Sequence, residues 1–331
     1  MNIALITGIA GQDGSYMAEF LTGRGYRVVG LCSDKKSLAL ENLSLIIDAI
    51  ELVTFDLADH RCITDIVSLY RPTEIFNFAA YSTGVGMYDH PVNIADLNGL
   101  AVTSILEAIR SIDTNIRFCQ ASSSEMFGDA IETPQNESTR FTPRSPYGAA
   151  KLYAHEMIRI YRQRYGLFAC SAILFNHESP RRSLDFVTRK ITHNAAMIKL
   201  GLVSELQLGN IDSRRDWGYA KDYVRGMSLM LQASAPDDYV LSTGETHSVR
   251  EVCEVSFNYL GLDYRQFVRE NSSSFRPIEP IQLVGNSEKA KKQLGWEPEM
   301  DFSSMIKLMV DSDIQQISAN ESKSVLNTTV S

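Results

Sequence analysis

The stretch Ile3-Ala-Leu-Ile-Thr7, followed at once by Gly8-Ile-Ala-Gly11-Gln-Asp-Gly14, decides the fold class of this chain. The apolar run predicts a buried strand, and residues from about 15 to 22 have the spacing of an amphipathic helix. Glycines at a strand-to-helix turn let the backbone approach a pyrophosphate, and the helix N-terminus attracts its phosphates. We therefore interpret the turn as a dinucleotide-binding loop, with cofactor contacts from Gly8, Gly11, Gln12, Asp13 and Gly14.

Strands and helices alternate along the rest of the first half. The pattern predicts strands at 27–31, 50–55, 74–79, 116–121 and 169–175, and helices at 98–110 and 145–165. This alternation indicates βαβ units and a Rossmann-type α/β fold, in which a doubly wound parallel sheet binds ligands beyond the carboxyl ends of its strands.

Two domains and a tail are expected. Residues 1–175 should form the NAD(P)-binding Rossmann domain, whose core also receives later segments. After Asn176 the alternation loosens, and residues 176–317 should form a smaller C-terminal substrate-binding lobe with helices at 188–200, 219–231 and 249–260. Residues 318–331 are rich in Ser, Asn and Thr, which predicts a disordered tail.

Composition limits the classes of function. The 331 residues are 44% hydrophobic and 22% charged, which is typical of a globular protein. A net charge of −8 argues against broad binding to nucleic acid or anionic membranes, and no window holds the roughly 18 uninterrupted apolar residues of a membrane span. The five cysteines form no CxxC pair, so we expect no metal site, no disulfide framework and a cytoplasmic location.

The segment Tyr147-Gly-Ala-Ala-Lys151 places a phenol and an amine one helical turn apart, on one helix face. A phenol titrates near 10 in water, and a neighbouring ammonium or a positively charged nicotinamide lowers that pKa. We expect Tyr147 to take a proton from a substrate hydroxyl while Lys151 stabilises the phenolate and holds the nicotinamide ribose. The same pattern can also be purely structural, but its place after a dinucleotide loop and a serine-tipped strand favours catalysis.

Longer stretches carry a resemblance to one family. The segments TGIAGQDGSYMAEFL, QASSSEMFG, TPRSPYGAAKLYAHE, LFNHESPRR and RRDWGYAKDYV follow one another along the chain. Together they resemble the GDP-mannose 4,6-dehydratase family of extended short-chain dehydrogenases/reductases, from Thr7 to about Val310. The resemblance implies a hydro-lyase that converts GDP-mannose, or a close relative such as GDP-manno-heptose, to its 4-keto-6-deoxy derivative.

The resemblance also implies the catalytic roles. Tyr147 would deprotonate O4 as C4 gives a hydride to the cofactor, and Ser123, at the position of a family threonine, would hydrogen-bond O4. Glu125 would then remove the acidified proton on C5 and help to expel the C6 hydroxyl as water, before the hydride returns to C6. The alternatives are a turn-capping serine with a solvated glutamate, and an epimerase or 4-reductase of the same fold. Those two enzymes need no base at C5, so Glu125 favours dehydration.

Further contacts are implied by the same resemblance. On the cofactor side they are Asp56, Leu57, Phe78, Ala79, Ala80, Ser82, Asn93, His177 and Arg182. The nucleotide diphosphate would be held by Asn176, Arg215 and Arg276, with Lys190 and Glu279 assisting. Ser82 is also expected among the substrate contacts. Guanidinium groups bind phosphate through paired hydrogen bonds, although each arginine alone can also belong to a surface ion pair.

Departures from the family leave three questions open. The family's arginine pair, which holds the 2′-phosphate of NADP, corresponds to Ser33 and Asp34, followed by Lys35 and Lys36. An acid there would favour NAD and the lysines would favour NADP, so we predict NADP with NAD as the alternative. The same loop contributes to tetramer contacts in the family, and helices 98–110 and 145–165 to dimer contacts, so a homodimer or homotetramer is expected. Met87 replaces a serine near the sugar and Asn93 a tyrosine, which keeps a GDP-sugar other than mannose possible.

Overall fold

The computed structural model of the chain describes residues 1–33, 40–59, 61–81, 88, 90–271 and 282–328. Short 3₁₀ or π segments lie at Leu40–Leu43, Ile47–Ala49, Asp96–Leu100, Ser124–Met126 and Tyr264–Gln266. In chain order, the strands and α-helices within these residues are β1 (Ile3–Thr7), α1 (Gln12–Thr22), β2 (Arg27–Cys32), β3 (Ile50–Thr54), α2 (Cys62–Tyr70), β4 (Glu74–Asn77), α3 (Pro91–Ala95), α4 (Ala101–Ile112), β5 (Arg117–Ala121), α5 (Pro146–Tyr165), β6 (Ala169–Leu174), β7 (Asn176–Glu178), α6 (Val187–Lys199), β8 (Leu206–Leu208), β9 (Arg214–Arg215), β10 (Trp217–Tyr219), α7 (Ala220–Gln232), β11 (Tyr239–Leu241), β12 (His247–Ser248), α8 (Val249–Tyr259), β13 (Val268–Glu270), α9 (Glu288–Leu294) and α10 (Phe302–Thr328).

The central sheet has seven parallel strands in the order β11-β6-β5-β4-β1-β2-β3. This confirms the predicted fold class, and the six strands predicted in the first half end within about two residues of their observed bounds. The strand β11 was not predicted, because three residues are too few to show a period. The order reverses between β1 and β4, which places the ligand crevice at the carboxyl ends of these two strands.

Both faces of the sheet are covered. Ile6, Phe76 and Cys119 face a core shared with α1 and α7, whereas Leu5 and Phe118 face a second core shared with α2, α4 and α5. Strands that are buried on both sides must be apolar at successive positions, which is why their sequences show short continuous apolar runs.

A third core joins α6, α8 and α10 to the small strands β8 and β10, with Trp217, Phe257 and Met309 fully buried. Arg189 on α6 makes a buried ion pair with Asp313 on α10. The helix α10 continues to Thr328, where we had predicted a disordered tail from residue 318. The prediction considered polar composition alone. Because α10 is already anchored before residue 318, further residues can extend it without a new and costly nucleation step.

One helical stretch, Pro91–Ile112, is long and apolar enough to cross a membrane by length and composition only. Half of its apolar window is buried inside the fold. Val102, Ile105 and Ile109 on α4 pack against the sheet with no exposed surface. A core helix of a globular domain passes the same test, so this stretch gives little support to a membrane location.

Candidate functional site

The glycine turn lies at the crevice, between β1 and α1. A Cβ at Gly14 would lie 2.3 Å from the Gly8 carbonyl oxygen, so only glycine lets α1 begin this close to the end of β1. Gly11 caps α1 without a side-chain hydrogen bond to its first N–H groups. A helix N-terminus of this kind, with no Cβ in the way, fits the pyrophosphate of a dinucleotide. The residues present therefore fit the nicotinamide dinucleotide that the sequence predicts.

The segment after β4 lies beside this turn. The N–H groups of Phe78 and Ala79 donate to Oγ1 of Thr7, over 3.1 Å and 3.0 Å. Asn98 then holds the main chain of Tyr81 through two hydrogen bonds of 2.8 Å and 3.0 Å. Phe78, Ala79 and Ala80 thus form one wall of the crevice, as their predicted role requires.

The helix α5 carries Tyr147 and Lys151 to the same edge of the sheet. It begins at Pro146, and Oγ of Ser145 caps it by accepting the N–H of Gly148 at 3.0 Å. A Cβ at Gly148 would lie 2.5 Å from the Glu125 carbonyl oxygen, so the glycine lets α5 pack directly on the loop that follows β5. The Lys151 ammonium nitrogen lies 5.7 Å from the centre of the Tyr147 ring.

This packing brings together the four residues predicted to be catalytic. Ser123 hydrogen-bonds the Tyr147 phenol, and its Oγ also accepts the N–H of Glu125 at 3.2 Å. The Glu125 carboxylate is close enough to act electrostatically on the phenol. Lys151 is 2% exposed, and its Nζ donates to the Ala121 carbonyl at 2.8 Å. Two proton-handling groups, a hydroxyl and an ammonium therefore face one another beside the dinucleotide cradle.

Burial controls the electrostatics of the pair. The pKa of Tyr147 is raised to about 12, chiefly by burial and also by the charges of Glu125 and Asp13, while Ser123 and Arg182 oppose the rise. Burial also lowers the pKa of Lys151 to about 8. The lowered phenol pKa was predicted from a neighbouring ammonium together with a bound nicotinamide, and it stays a prediction for that complex; in the protein alone the phenol pKa is raised. Desolvation of the phenol outweighs every nearby positive charge, and Lys151 hydrogen-bonds a backbone carbonyl instead.

A second network ties β7 to the glycine turn. His177 stacks on Tyr223, and its Nε2 lies 3.0 Å from the Asp13 carboxylate. Burial opposes a charge on either partner, but their mutual attraction prevails, so the pKa of Asp13 is lowered and that of His177 is raised. Gln12 donates to the His177 carbonyl at 3.1 Å and accepts the hydroxyl of Ser179 at 2.8 Å. Three predicted cofactor residues thus also serve as an interlock between the two parts of the chain.

Arg182 lies next to this interlock. Its guanidinium carbon is 3.4 Å from the centre of the Phe186 ring, and its Nε lies 3.3 Å from the Glu178 carboxylate. It acts electrostatically on both Asp13 and Tyr147. Its predicted position near the cofactor is consistent with this placement.

Other predicted cofactor residues lie further out. Ser33 and Asp56 are exposed directly after β2 and β3, where an adenosine would meet the sheet edge, and Leu57 is half-buried. The Asp56 carboxylate accepts the N–H of Ala58 at 2.9 Å. Asn93 is exposed on α3. The remaining predicted cofactor residues lie outside the described ranges, namely Asp34, Lys35, Lys36 and Ser82.

The predicted diphosphate contacts occupy the lobe. Asn176 is on β7, which pairs with β10, and β10 begins one residue after Asp216. Arg215 is on β9, and its guanidinium donates to the Arg214 carbonyl. Lys190 is exposed and its ammonium donates to the Gln207 carbonyl at 2.8 Å. Arg276 and Glu279 lie outside the residues that the structure describes.

Sequence reasoning missed several buried polar residues around the site. Asp216, 1% exposed, accepts the N–H groups of Thr243 and Gly244 and so holds the strand that carries Arg215. Thr7, Asn77 and Gln120 form a hydrogen-bonded row beneath the crevice. The sequence carried a signal for Thr7, Asn77 and Gln120. Each is a polar residue at or near the end of an otherwise apolar strand, where a buried polar side chain needs a hydrogen-bond partner.

The fold and the site define a class, the Rossmann-type short-chain dehydrogenases/reductases. Solved structures agree. The UDP-glucose 4-epimerase of Thermotoga maritima with UDP-glucose has a TM-score of 0.85 at 23% identity, and covers 95% of this chain and 99% of its own. The dTDP-glucose 4,6-dehydratase of Bacillus anthracis in complex with NAD has a TM-score of 0.83 at 21% identity, with 94% and 96% covered. At these identities the likeness concerns the fold alone.

Sequence comparison defines the family. Residues 5–309 match the family described as GDP-mannose 4,6 dehydratase. GDP-mannose 4,6 dehydratase 2 of Arabidopsis thaliana is 46% identical, covering 95% of this chain and 87% of its own length. The human GDP-mannose 4,6 dehydratase is 42% identical, with 96% and 93% covered. The chain belongs to the GDP-mannose 4,6-dehydratase family, whose members are enzymes.

Replacing Lys151 by methionine tests the cost of its buried charge. The folded pKa is about 8, whereas an unfolded lysine titrates near 10.4. The ammonium therefore destabilises the fold fully below pH 8, and the penalty disappears as the pH rises towards about 10. We expect Lys151→Met to melt at a higher temperature than the unaltered protein at pH 7, by a difference that shrinks between pH 8 and about 10 in melts followed by circular dichroism.

The exposed Lys199 provides the control for this measurement. Any difference in melting temperature between Lys199→Met and the unaltered protein should stay constant over the same pH range. A lower melting temperature of Lys151→Met at pH 7 would contradict the buried-charge argument.

Proposed function

We propose that this chain is a GDP-mannose 4,6-dehydratase. The observation that carries the proposal is the grouping of Ser123, Glu125 and Tyr147 at the carboxyl end of β5, beside a dinucleotide cradle. A hydride-transfer site for a hydroxyl needs the phenol alone, whereas elimination needs a second base. Glu125 supplies that base, in a chain 46% identical to a dehydratase of this name.

The first step concerns the C4 hydroxyl of the sugar. When bound, the nicotinamide cofactor supplies reversible hydride acceptance. In the protein alone the phenol keeps its proton, whereas the positive charge of a bound nicotinamide would favour the phenolate. As the phenolate, Tyr147 would accept the O4 proton, and Ser123 would donate a hydrogen bond to O4. We expect the Lys151 ammonium, 5.7 Å from the centre of the Tyr147 ring, to stabilise the phenolate and to hold the nicotinamide ribose. The Asp13–His177 interlock holds the glycine turn and the lobe in a fixed relation during this step.

The second step is the loss of water. The ketone at C4 acidifies the proton on C5, and Glu125 removes it. The same carboxyl group then gives the proton to the leaving hydroxyl on C6. The main chain of Glu125 is held from two sides, by Ser123 through its N–H and by the close approach of Gly148 at its carbonyl. This support fixes the carboxylate with respect to the sugar ring, which is what an effective general base requires.

Glu125→Gln tests the elimination. We expect the rate of water loss from GDP-mannose to fall by at least about 100-fold, because the amide cannot accept the C5 proton, while cofactor affinity changes less than about threefold. The measurement is mass spectrometry of GDP-mannose and GDP-manno-heptose incubated with the protein and catalytic amounts of cofactor, alongside cofactor titration.

Glu132→Gln, at an exposed carboxylate seven residues further along, is the matched control and should retain full activity. An undiminished rate in Glu125→Gln would remove its role as the base. No water loss from either sugar nucleotide with the unaltered protein would refute the proposed function itself.

The cofactor that we propose is NADP. Solved relatives of the same fold hold NADPH or NAD, as in RMD from Pseudomonas aeruginosa and the Bacillus anthracis dehydratase, so a nicotinamide dinucleotide is the common element. The two lysines after Asp34 supply the charge that a 2′-phosphate needs. Calorimetric titration should give a lower Kd for NADP than for NAD, and Lys35→Ala should weaken NADP binding more than NAD binding. Equal affinities would refute the preference.

We also propose that the chain forms a homo-oligomer through α5 and the helical stretch before α4. Leu100, Tyr153 and Ile160 are 46%, 41% and 42% exposed on these helices, so a partner helix could bury apolar surface there. Ile160→Glu should shift the protein towards monomer in light scattering after gel filtration. Leu202→Glu, at an apolar residue of similar exposure in the lobe, should not. A monomeric unaltered protein would overturn the proposal.

A further inference from the structure

Three polar side chains lie side by side across the middle of the sheet, at or near the ends of β1, β4 and β5. Thr7 is the register partner of Asn77, and Asn77 is the register partner of Gln120. Their exposed fractions are 0%, 1% and 1%. Two positions earlier, Leu5 and Phe118 face the apolar layer under α4 and α5. Polar groups at this depth cost free energy unless each is hydrogen-bonded, so the row must be connected.

The backbone sets the direction of its hydrogen bonds. Oγ1 of Thr7 accepts the N–H groups of Phe78 and Ala79, so its own proton goes to Oδ1 of Asn77 at 2.5 Å. Asn77 must then turn Nδ2 towards Gln120, and it donates to Oε1 at 2.6 Å. Because backbone N–H groups cannot become acceptors, neither amide can reverse without leaving two donors or two acceptors in contact.

The row ends on the carbonyl that holds the catalytic lysine. Nε2 of Gln120 donates to the Ala121 oxygen at 2.8 Å, and Nζ of Lys151 donates to the same oxygen at 2.8 Å. The last β4–β5 pair is Asn77 with Gln120, so this carbonyl lies one residue beyond that ladder. A carbonyl oxygen has two lone pairs, and the two donors occupy both. The position of the ammonium is therefore fixed by this carbonyl, and its other two N–H groups are available to donate to a ligand in the site.

We propose that Gln120 is a positioning residue for Lys151, oriented through Asn77 and Thr7 so that its amide shares the Ala121 carbonyl with the ammonium. The proposal deepens the proposed function and rests on it for the role of Lys151 in turnover. Since the row starts on the N–H groups of Phe78 and Ala79, it connects the wall of the dinucleotide crevice to the lysine. A shift of that wall is thereby transmitted to the ammonium without any charged intermediary.

The Gln120 amide also affects the charge on Lys151. It competes for the oxygen on which the ammonium depends, and the positive end of its N–H dipole points to the same atom. Both effects disfavour the protonated lysine. Removing the amide should therefore make Lys151 more basic, which separates a positioning role from simple support of the fold.

The test uses Gln120→Met, which keeps the length of the side chain and removes its hydrogen bonds. The Lys151 signal is followed by NMR in protein labelled with [¹³Cε]lysine and is assigned by its loss in Lys151→Met. We expect the titration midpoint of Lys151 to rise by about one pH unit, which corresponds to about one hydrogen bond. We expect kcat for GDP-mannose at pH 7 to fall about tenfold, with KM changed less than about threefold, because the ammonium loses its assigned place.

A second variant and a control keep the test sharp. Asn77→Leu keeps a side chain of similar size, adds no charge and removes the donor that holds Oε1 of Gln120. The Gln120 amide then loses its fixed orientation on Ala121, and the Lys151 midpoint should again rise. Ser171 is the register partner of Gln120 on β6, is equally buried, and its hydroxyl has no hydrogen-bond partner among the described residues. Ser171→Ala should leave the midpoint and kcat unchanged.

The outcomes separate the two hypotheses. If the Lys151 midpoint is unchanged in both Gln120→Met and Asn77→Leu, the positioning role is overturned, including the case in which only the melting temperature falls. If the midpoint rises but the unaltered protein does not turn over GDP-mannose, the positioning of Lys151 stands and the proposed substrate is wrong. A midpoint that also rises in Ser171→Ala would mean a general response of the core, and would overturn the role of Gln120.

Discussion

The contact between Gly14 and the Gly8 carbonyl is the constraint on which the rest of the structure depends. A side chain at Gly14 would lie 2.3 Å from that oxygen, so the contact requires glycine at this position, whereas Gly8 is required by its φ of +65° and by the close approach of Ala79. It sets the start of α1 directly at the carboxyl end of β1, in the centre of the sheet. Every other part of the site is placed by strands that neighbour β1, because β4 and β5 follow it in the sheet and end at the same edge.

The lobe is attached to this centre through polar contacts. Asp13 leaves the first turn of α1 to meet His177 on β7, and Gln12 beside it reaches the main chain of His177 and the hydroxyl of Ser179. The opposed pKa shifts of Asp13 and His177 show that their attraction exceeds the cost of burying both. The glycine turn and the lobe are thus in direct contact through these side chains.

Much of the fold could be predicted, because the strands of a parallel sheet are buried on both faces and are visible as apolar runs. The strand β11 and the helical end of α10 could not, since the first has three residues and the second depends on anchoring by Asp313 and its neighbours. The candidate catalytic residues could be named from the sequence because motifs preserve residue types at fixed spacing, and their roles stay a prediction. The directions of the pKa shifts could not be predicted, because burial is a property of the packed core. Burial makes the phenol of Tyr147 less acidic and the ammonium of Lys151 less basic. The Gln120 row was overlooked because its meaning lies in register between strands.

The two proton-handling groups also influence one another. Glu125 raises the pKa of the Tyr147 phenol, so a carboxylate and a phenolate side by side are disfavoured. Under the proposed mechanism, the phenol regains its proton from O4 in the first step, which removes the competing negative charge. Glu125 is then the only anion of the pair at the moment when the C5 proton must be removed. The order of the two steps follows from the C4 ketone, which must form before the C5 proton becomes acidic, and the repulsion between the two side chains favours the same order.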